Sequence, residues 1–216
     1  MVPGARIELA TPAFSGRRST SELPRHANNF SSLGAPRRSV NSPGIFCFCV
    51  PWFNTSMQAT VQESASVISE LNKLASSASN ADALMDSIVG LLHEKLTRYN
   101  WVGFYMLDPN DANMLVLGSF RGAATPHTRI PLNQGICGAA ASSGETVVVD
   151  DVNNDPRYLA CSIETKSEIV VPIFAKGKVV GELDIDSHVP AAFGPDDRKL
   201  CEHAAQLLGK FIESHS

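Results

Sequence analysis

Residues 179–186 constrain the fold more than any other segment, because their side chains alternate strictly between two faces. One face would hold Val179, Gly181, Leu183 and Ile185, and the other Val180, Glu182, Asp184 and Asp186. A period of two with one apolar face is typical of a β-strand that lies against a core. An apolar segment at residues 168–174 precedes it after a short polar connection. The two segments are therefore predicted to form an antiparallel hairpin.

The register of this hairpin follows from the apolar pattern, because a slip by one residue would move every side chain to the other face. The core face stays apolar when three residues of each strand are opposed, namely Ile169, Val171 and Ile173 with Ile185, Leu183 and Gly181. That register requires a three-residue connection, Lys176–Lys178, with Gly177 at a positive φ. It also places Glu168 opposite Asp186 and beside Asp184.

Three carboxylates are thus predicted to converge on the polar face of the hairpin. A solvated strand face is one interpretation. Against it, like charges directly opposite each other destabilise a sheet unless something offsets their repulsion. A ligand ammonium group, a proton shared between carboxylates or a divalent metal would do so. No further ligand lies at a recognisable spacing, so no metal is expected.

Helical and strand patterns on both sides of the hairpin predict an α+β domain over residues 57–216. Helices are expected at 57–75, at 80–99 with Asn80 as N-cap, at 135–142, and from Gly194 onward. Further strands are expected at 101–107, 114–120 and 145–150. Consecutive hairpins flanked by helices indicate a central antiparallel sheet of about six strands.

Residues 1–56 differ from the rest of the chain. They contain six arginines, two glutamates and no other charged residue, hence a net charge of +4, and six of the 13 prolines. Their apolar residues follow neither a helical nor a strand period. The string from Gly4 to His26 resembles a translated reverse strand of a tRNA gene. We therefore expect a disordered, spurious extension before Met57; a genuine disordered tail is the alternative.

Composition excludes several classes of function. A net charge of −4 argues against a nucleic-acid or anionic-membrane partner. No apolar run approaches the roughly 18 residues of a membrane span. Five cysteines in 216 residues do not form a disulfide scaffold, so we expect reduced thiols in a cytoplasmic protein.

Two of the cysteines are candidates for chemistry. Cys137 begins the short helix, where the helix dipole would favour a thiolate, and Cys161 lies in a polar loop. Cys201 is expected to be structural, and each of these residues could also be a small inert hydrophobe. A zinc site from His127, Cys137, Cys161 and His203 has no supporting spacing.

Six motifs together resemble the free methionine-R-sulfoxide reductases, which are stand-alone GAF domains. They are Asn100-Trp-Val-Gly-Phe-Tyr105, Arg129-Ile-Pro131, Gln134-Gly-Ile-Cys-Gly138, Ala160-Cys161, Ser167-Glu-Ile-Val-Val-Pro172 and Gly181-Glu-Leu-Asp-Ile-Asp-Ser187. The resemblance extends from about Ser69 to Ile212. It implies a GAF-type fold with a site for a small polar ligand.

The resemblance also implies a reaction. Free methionine sulfoxide would bind against Trp101 and Tyr105, while Glu168, Asp184 and Asp186 hold its ammonium group and sulfoxide oxygen. Cys161 would attack the sulfur, and an acid of the cluster, Glu168 or Asp186, would protonate the oxygen. An external reductant of the thioredoxin type would regenerate the thiol, without any bound cofactor.

The sequence departs from the family at one position, since His127 occupies the place of the usual resolving cysteine. Either Cys137 resolves Cys161, or a small external thiol does, or the domain binds its ligand without turnover. His127 could assist by stabilising a nearby thiolate. The alternative function is accordingly a non-catalytic GAF binding or sensing module. A homodimer is compatible with either function.

Overall fold

The computed structural model describes residues 55–160 and 162–216, with side chains from Ser64 onward. The predicted extension at residues 1–56 lies outside this part except for Thr55 and Ser56, with which the first helix begins. No helix in the described part is both long and apolar enough to cross a membrane.

Four α-helices and six strands make up the described domain. They are α1 (Thr55–Ser77), α2 (Ala81–Lys95), β1 (Trp101–Asp108), β2 (Asp111–Arg121), β3 (Arg129–Pro131), α3 (Gly135–Ser143), β4 (Val147–Val149), β5 (Ser167–Ala175), β6 (Lys178–Ser187) and α4 (Pro195–Ser214). The strands form one antiparallel sheet in the order β3-β2-β1-β6-β5-β4. The predicted α+β class is confirmed.

The register of the β5–β6 hairpin is confirmed, whereas its predicted connection is wrong. Glu168 pairs with Asp186 as expected, but Ala175 pairs with Lys178, which leaves a two-residue turn. Lys176 and Gly177 both have positive φ, 51° and 74°, as the right-handed twist of a tight hairpin requires. A β-bulge before Phe174 accommodates the remaining residue of β6.

Helices α2 and α4 pack on one face of the sheet, α1 packs on these two helices, and the three form the main core with the sheet. Its buried members include Leu71, Leu84, Ile88, Leu92, Phe104, Ile169, Leu183, Ile185, Leu200 and Leu208. Asn80 caps α2 as predicted, its Oδ1 accepting from the Ala83 amide at 2.9 Å. That helix ends at Lys95 rather than near Tyr99. Tyr99 instead lies buried in the core, where its hydroxyl donates to Asp197 at 2.7 Å.

The close contact between α4 and β5 gives a testable prediction at Gly209. A Cβ atom there would lie 2.2 Å from the Phe174 carbonyl oxygen. Gly209→Ala is therefore expected to lower the free energy of unfolding by about 1–3 kcal/mol in urea titrations. Gly90 in α2 is the matched control, because its nearest neighbour would be an arginine nitrogen 3.9 Å away. Gly90→Ala should raise stability by about 0.5–1 kcal/mol. Equal stability of the two variants would contradict the packing described.

Candidate active site

An acidic face lies on the sheet surface opposite helices α1, α2 and α4, and strand register builds it. Trp101 of β1 pairs with Asp186 of β6, which pairs with Glu168 of β5. Asp184 and Glu182 follow along β6 at two-residue steps, so their side chains lie on the same face as that of Asp186. Helix α3 covers this face together with a smaller apolar cluster that includes Trp101.

Burial makes this face unusual. None of its four carboxyl groups is more than 4% exposed, and Glu182 is fully buried. Glu168, Asp184 and Asp186 are the carboxylates predicted from the sequence, and Glu182 is a fourth. The alternating pattern of β6 already contained the signal, because it places Glu182 on the same face as the other two acids of that strand.

Burial also raises the pKa of every acid in the group. The pKa of Glu182 rises to about 8 through burial. Burial and then the charge of Glu182 raise the pKa of Asp184. The pKa values of Glu168 and Asp186 lie well above the usual range, through burial first and then through neighbouring carboxylates, chiefly Asp184. These shifts favour the protonated form of the carboxyl groups on this face.

Raised acid pKa values make stability depend on pH, with a definite sign. A group that binds its proton more tightly in the folded state contributes stability at low pH, which is lost as pH rises through the folded pKa. The free energy of unfolding, measured in EDTA, is thus expected to fall between about pH 5 and about pH 9. Glu182→Gln should flatten this slope, because the amide does not ionise. The exposed Glu213→Gln should leave it unchanged, and a slope unaltered in Glu182→Gln would contradict the assignment.

Cys137 faces the acids from the start of α3. Its Sγ lies 3.5 Å from Asp184 Oδ2 and 3.9 Å from Glu168 Oε1. Burial, followed by the charges of Asp184, Glu182 and Glu168, raises the pKa of the thiol well above its usual value. The prediction that the helix dipole makes Cys137 a thiolate is wrong, because burial and the facing carboxyl groups outweigh that dipole.

Trp101 lies at the edge of the acidic face, beside a small cavity. The cavity, of about 60 Å³, is lined by Trp101, Asp186, Asn100, Thr125, Glu164 and His188, among others. The indole Nε1 donates to the Ala123 carbonyl oxygen at 3.0 Å. The ring stacks on Tyr105 and Phe120, with centroids 6.2 and 5.7 Å away. Trp101 and Asp186 are thus brought together as a binding site would require.

Tyr105 is fully buried behind Trp101 and supports the tryptophan ring. Its hydroxyl donates to the carbonyl oxygen of His127 at 2.7 Å. The His127 ring in turn lies 3.3 Å, measured from Nε2, from the Ala160 carbonyl oxygen. Cys161, the predicted nucleophile, lies outside the described residues. Of its two sequence neighbours, Ala160 lies next to His127 and Ser162 lines the cavity.

The remaining candidates lie apart from the acidic face. Cys201 is buried in the main core, 3.7 Å from the Tyr99 hydroxyl, as expected of a structural cysteine. His203, also on α4, lies 3.0 Å from the Asn72 side-chain oxygen of α1. It cannot share a zinc ion with Cys137, because the two lie on opposite faces of the sheet.

Comparisons with known proteins agree on one family. The GAF domain family matches residues 80–212. The free methionine-R-sulfoxide reductase of Escherichia coli is 36% identical over 139 residues, which are 64% of this chain and 82% of that protein. The Saccharomyces cerevisiae protein of the same name is 44% identical over 112 residues, 51% of this chain and 62% of its own. The Neisseria meningitidis free methionine-R-sulfoxide reductase, solved with its substrate, is 36% identical with a TM-score of 0.66, covering 70% of this chain and 89% of that one.

Proposed function

We propose, because the chain belongs to the GAF domain family and within it to the free methionine-R-sulfoxide reductases, that it reduces free L-methionine-R-sulfoxide to methionine. The observation that supports this most is the row Trp101, Asp186 and Glu168 across three strands. It joins an aromatic surface for an apolar side chain to acids for an ammonium group. Free methionine sulfoxide has both of the groups that such a site would bind, an ammonium group and a side chain with apolar methylene and methyl groups.

The acids would act in two protonation states. The substrate ammonium group, placed among Asp184, Asp186 and Glu168, favours ionisation of the carboxyl groups nearest to it. A member that keeps its proton, Glu168 or Asp186, then donates a hydrogen bond to the sulfoxide oxygen. Trp101, supported from behind by Tyr105, would contact the methylene groups and the S-methyl group. Burial of the acids favours this division, because their pKa values are raised.

Cys161 would supply the electrons. Its thiolate attacks the sulfoxide sulfur while the acid protonates the oxygen, and the oxygen is transferred to the cysteine sulfur. Methionine leaves with its sulfur reduced by two electrons, and Cys161 becomes a sulfenic acid. A thiol then attacks the sulfenic sulfur and releases water, and a further thiol reduces the resulting disulfide.

The thiol that resolves the sulfenic acid is most simply external. His127 stands where the family has a cysteine, and Cys137 is only 6% exposed with a raised thiol pKa. Both facts disfavour attack by an internal thiolate. The role of Cys137 in resolution stays a prediction. A thioredoxin-type dithiol in the cytoplasm is the expected reductant.

Binding would also require the site to open. A cavity of about 60 Å³ holds a few water molecules, whereas methionine sulfoxide is larger. Thr125 and Ser162, which belong to two different loops, both line the cavity. Their separation would admit the substrate between Trp101 and the acids.

A coupled assay tests the proposal. Wild-type protein with free methionine-R-sulfoxide is expected to oxidise NADPH in the presence of thioredoxin and thioredoxin reductase, and the S epimer should not support turnover. Glutathione with its reductase, and dithiothreitol with detection of methionine, test other thiols. Absence of turnover with all three reductants would contradict the proposal and favour a non-catalytic GAF binding module.

A further inference from the structure

Glu182 has no part in the proposed reaction, yet it is the most completely buried acid of the face. Neither of its carboxyl oxygens, nor Asp184 Oδ1, has a hydrogen-bond partner within the described part of the chain. Buried polar atoms are nearly always paired, because an unpaired one loses its hydrogen bonds to water without replacing them. Three such atoms, on two residues of the same face of β6, indicate that a ligand can be bound here.

Beside these unpaired oxygens lie three side chains of metal-ligating types. Cys137 Sγ and one oxygen each of Glu168 and Asp184 all lie within 4.8 Å of one another. They come from three different elements, α3, β5 and β6. A single thiol proton cannot satisfy both carboxyl groups at 3.5 and 3.9 Å.

The two sulfur–oxygen distances are close to an edge of a tetrahedral site. With Zn–S near 2.3 Å and Zn–O near 2.0 Å, a tetrahedral angle separates sulfur from oxygen by about 3.5 Å. The Cys137–Asp184 separation has that value, and the Cys137–Glu168 separation is slightly longer. Glu182 precedes Asp184 by two residues on the same face of β6 and has both carboxyl oxygens unpaired, so it is the candidate for a fourth ligand or for holding a bound water.

We propose that this cluster binds a thiophilic divalent cation such as Zn²⁺ or Cd²⁺ through Cys137, Glu168 and Asp184, with Glu182 completing the site. A thiolate ligand selects these ions over Mg²⁺ and Ca²⁺, which prefer oxygen alone. The cation balances the negative charge of the ligands and gives the unpaired carboxyl oxygens a partner. Spacing in the sequence could not reveal this site, because its ligands are brought together only by strand pairing and by the packing of α3.

Occupation of the site would block the proposed reaction. Glu168 and Asp184 are the groups assigned to the substrate, so metal and methionine sulfoxide would compete for them. This consequence rests on the proposed function, whereas metal binding itself does not. Zinc would then act as a reversible competitive inhibitor.

Titration with Co²⁺ under anaerobic conditions tests the binding site directly. The full-length, EDTA-stripped wild-type protein is expected to show a thiolate-to-cobalt charge-transfer band and the visible spectrum of a tetrahedral site. Cys137→Ser should lose the charge-transfer band. Cys161→Ser, Cys201→Ser and a Cys47→Ser/Cys49→Ser double variant should retain it, which excludes the other thiols and the Cys-x-Cys pair.

A second variant keeps the test independent of whether Cys137→Ser folds. Glu182→Gln is expected to weaken Co²⁺ binding by about 10–100-fold, whereas the exposed Glu213→Gln should bind as wild type does. No band in wild type, a band that survives Cys137→Ser, or unchanged affinity in Glu182→Gln would each overturn the proposal.

Activity separates this proposal from the proposed function. Added Zn²⁺ should raise KM for methionine sulfoxide without lowering kcat, and excess substrate should displace Co²⁺. A protein that binds Co²⁺ at Cys137 but never turns over would refute only the proposed reaction. A protein that turns over without binding the ion would refute only the metal site.

Discussion

Cys161→Ser is expected to reduce free methionine-R-sulfoxide at least about 10³-fold more slowly than wild type, the scale on which removal of a catalytic nucleophile acts. A serine hydroxyl is scarcely ionised at neutral pH, and the proposed reaction requires a sulfur atom that can accept oxygen. The loss should appear in kcat, measured with dithiothreitol so that resolution by a protein partner is not limiting. Binding of the sulfoxide, followed by calorimetry, should remain.

Cys201→Ser provides the matched control, because Cys201 lies in the main core away from the acidic face. It should retain activity, apart from any loss of stability. Turnover near the wild-type rate in Cys161→Ser would move the chemistry to another thiol. Cys137, which contacts the acids, would then be the first candidate.

Glu168→Gln is expected to lower kcat/KM by about 10²–10⁴-fold, the usual contribution of a positioned general acid. Glu168 lies opposite Asp186 and contacts Cys137, so it is central in the acidic face. The amide preserves the size of the side chain but can neither ionise toward the ammonium group nor give up a proton to the sulfoxide oxygen. Steady-state kinetics over a range of pH would measure both losses.

Glu213→Gln on α4 is the control for this substitution, because Glu213 is exposed and far from the acidic face. Its kinetics should match those of wild type. If Glu168→Gln kept wild-type kcat/KM, the acids would not take part in the reaction, and their burial would need another explanation such as the metal site.

The β5–β6 hairpin shows what the sequence could predict. Its register depends only on which residues are apolar, and both strands have a clear apolar face, so Glu168 was correctly placed opposite Asp186. The turn was predicted wrongly because a bulge in β6 absorbs one residue. A bulge adds one residue to a strand without changing the apolar pattern on either side of it. The pattern therefore could not reveal the bulge.

The state of Cys137 shows what the sequence could not predict. Its place at the start of a helix was predicted, and an isolated helix would favour the thiolate. The opposite result comes from tertiary packing, which buries the thiol against Asp184 and Glu168. The placement of Trp101 beside Asp186 likewise depends on the pairing of β1 with β6, two strands distant in sequence.

The most direct measurement uses the reduced wild-type protein with no other reductant. It is mixed with an excess of free L-methionine sulfoxide that contains both sulfur epimers. Chromatography on a chiral phase would quantify both epimers and the methionine formed, and mass spectrometry with a sulfenic-acid trap would locate the oxidised residue. We expect methionine in an amount stoichiometric with protein, consumption of the R epimer alone, and the trap on Cys161. No methionine, equal loss of both epimers, or an unmodified Cys161 would contradict the proposed reaction.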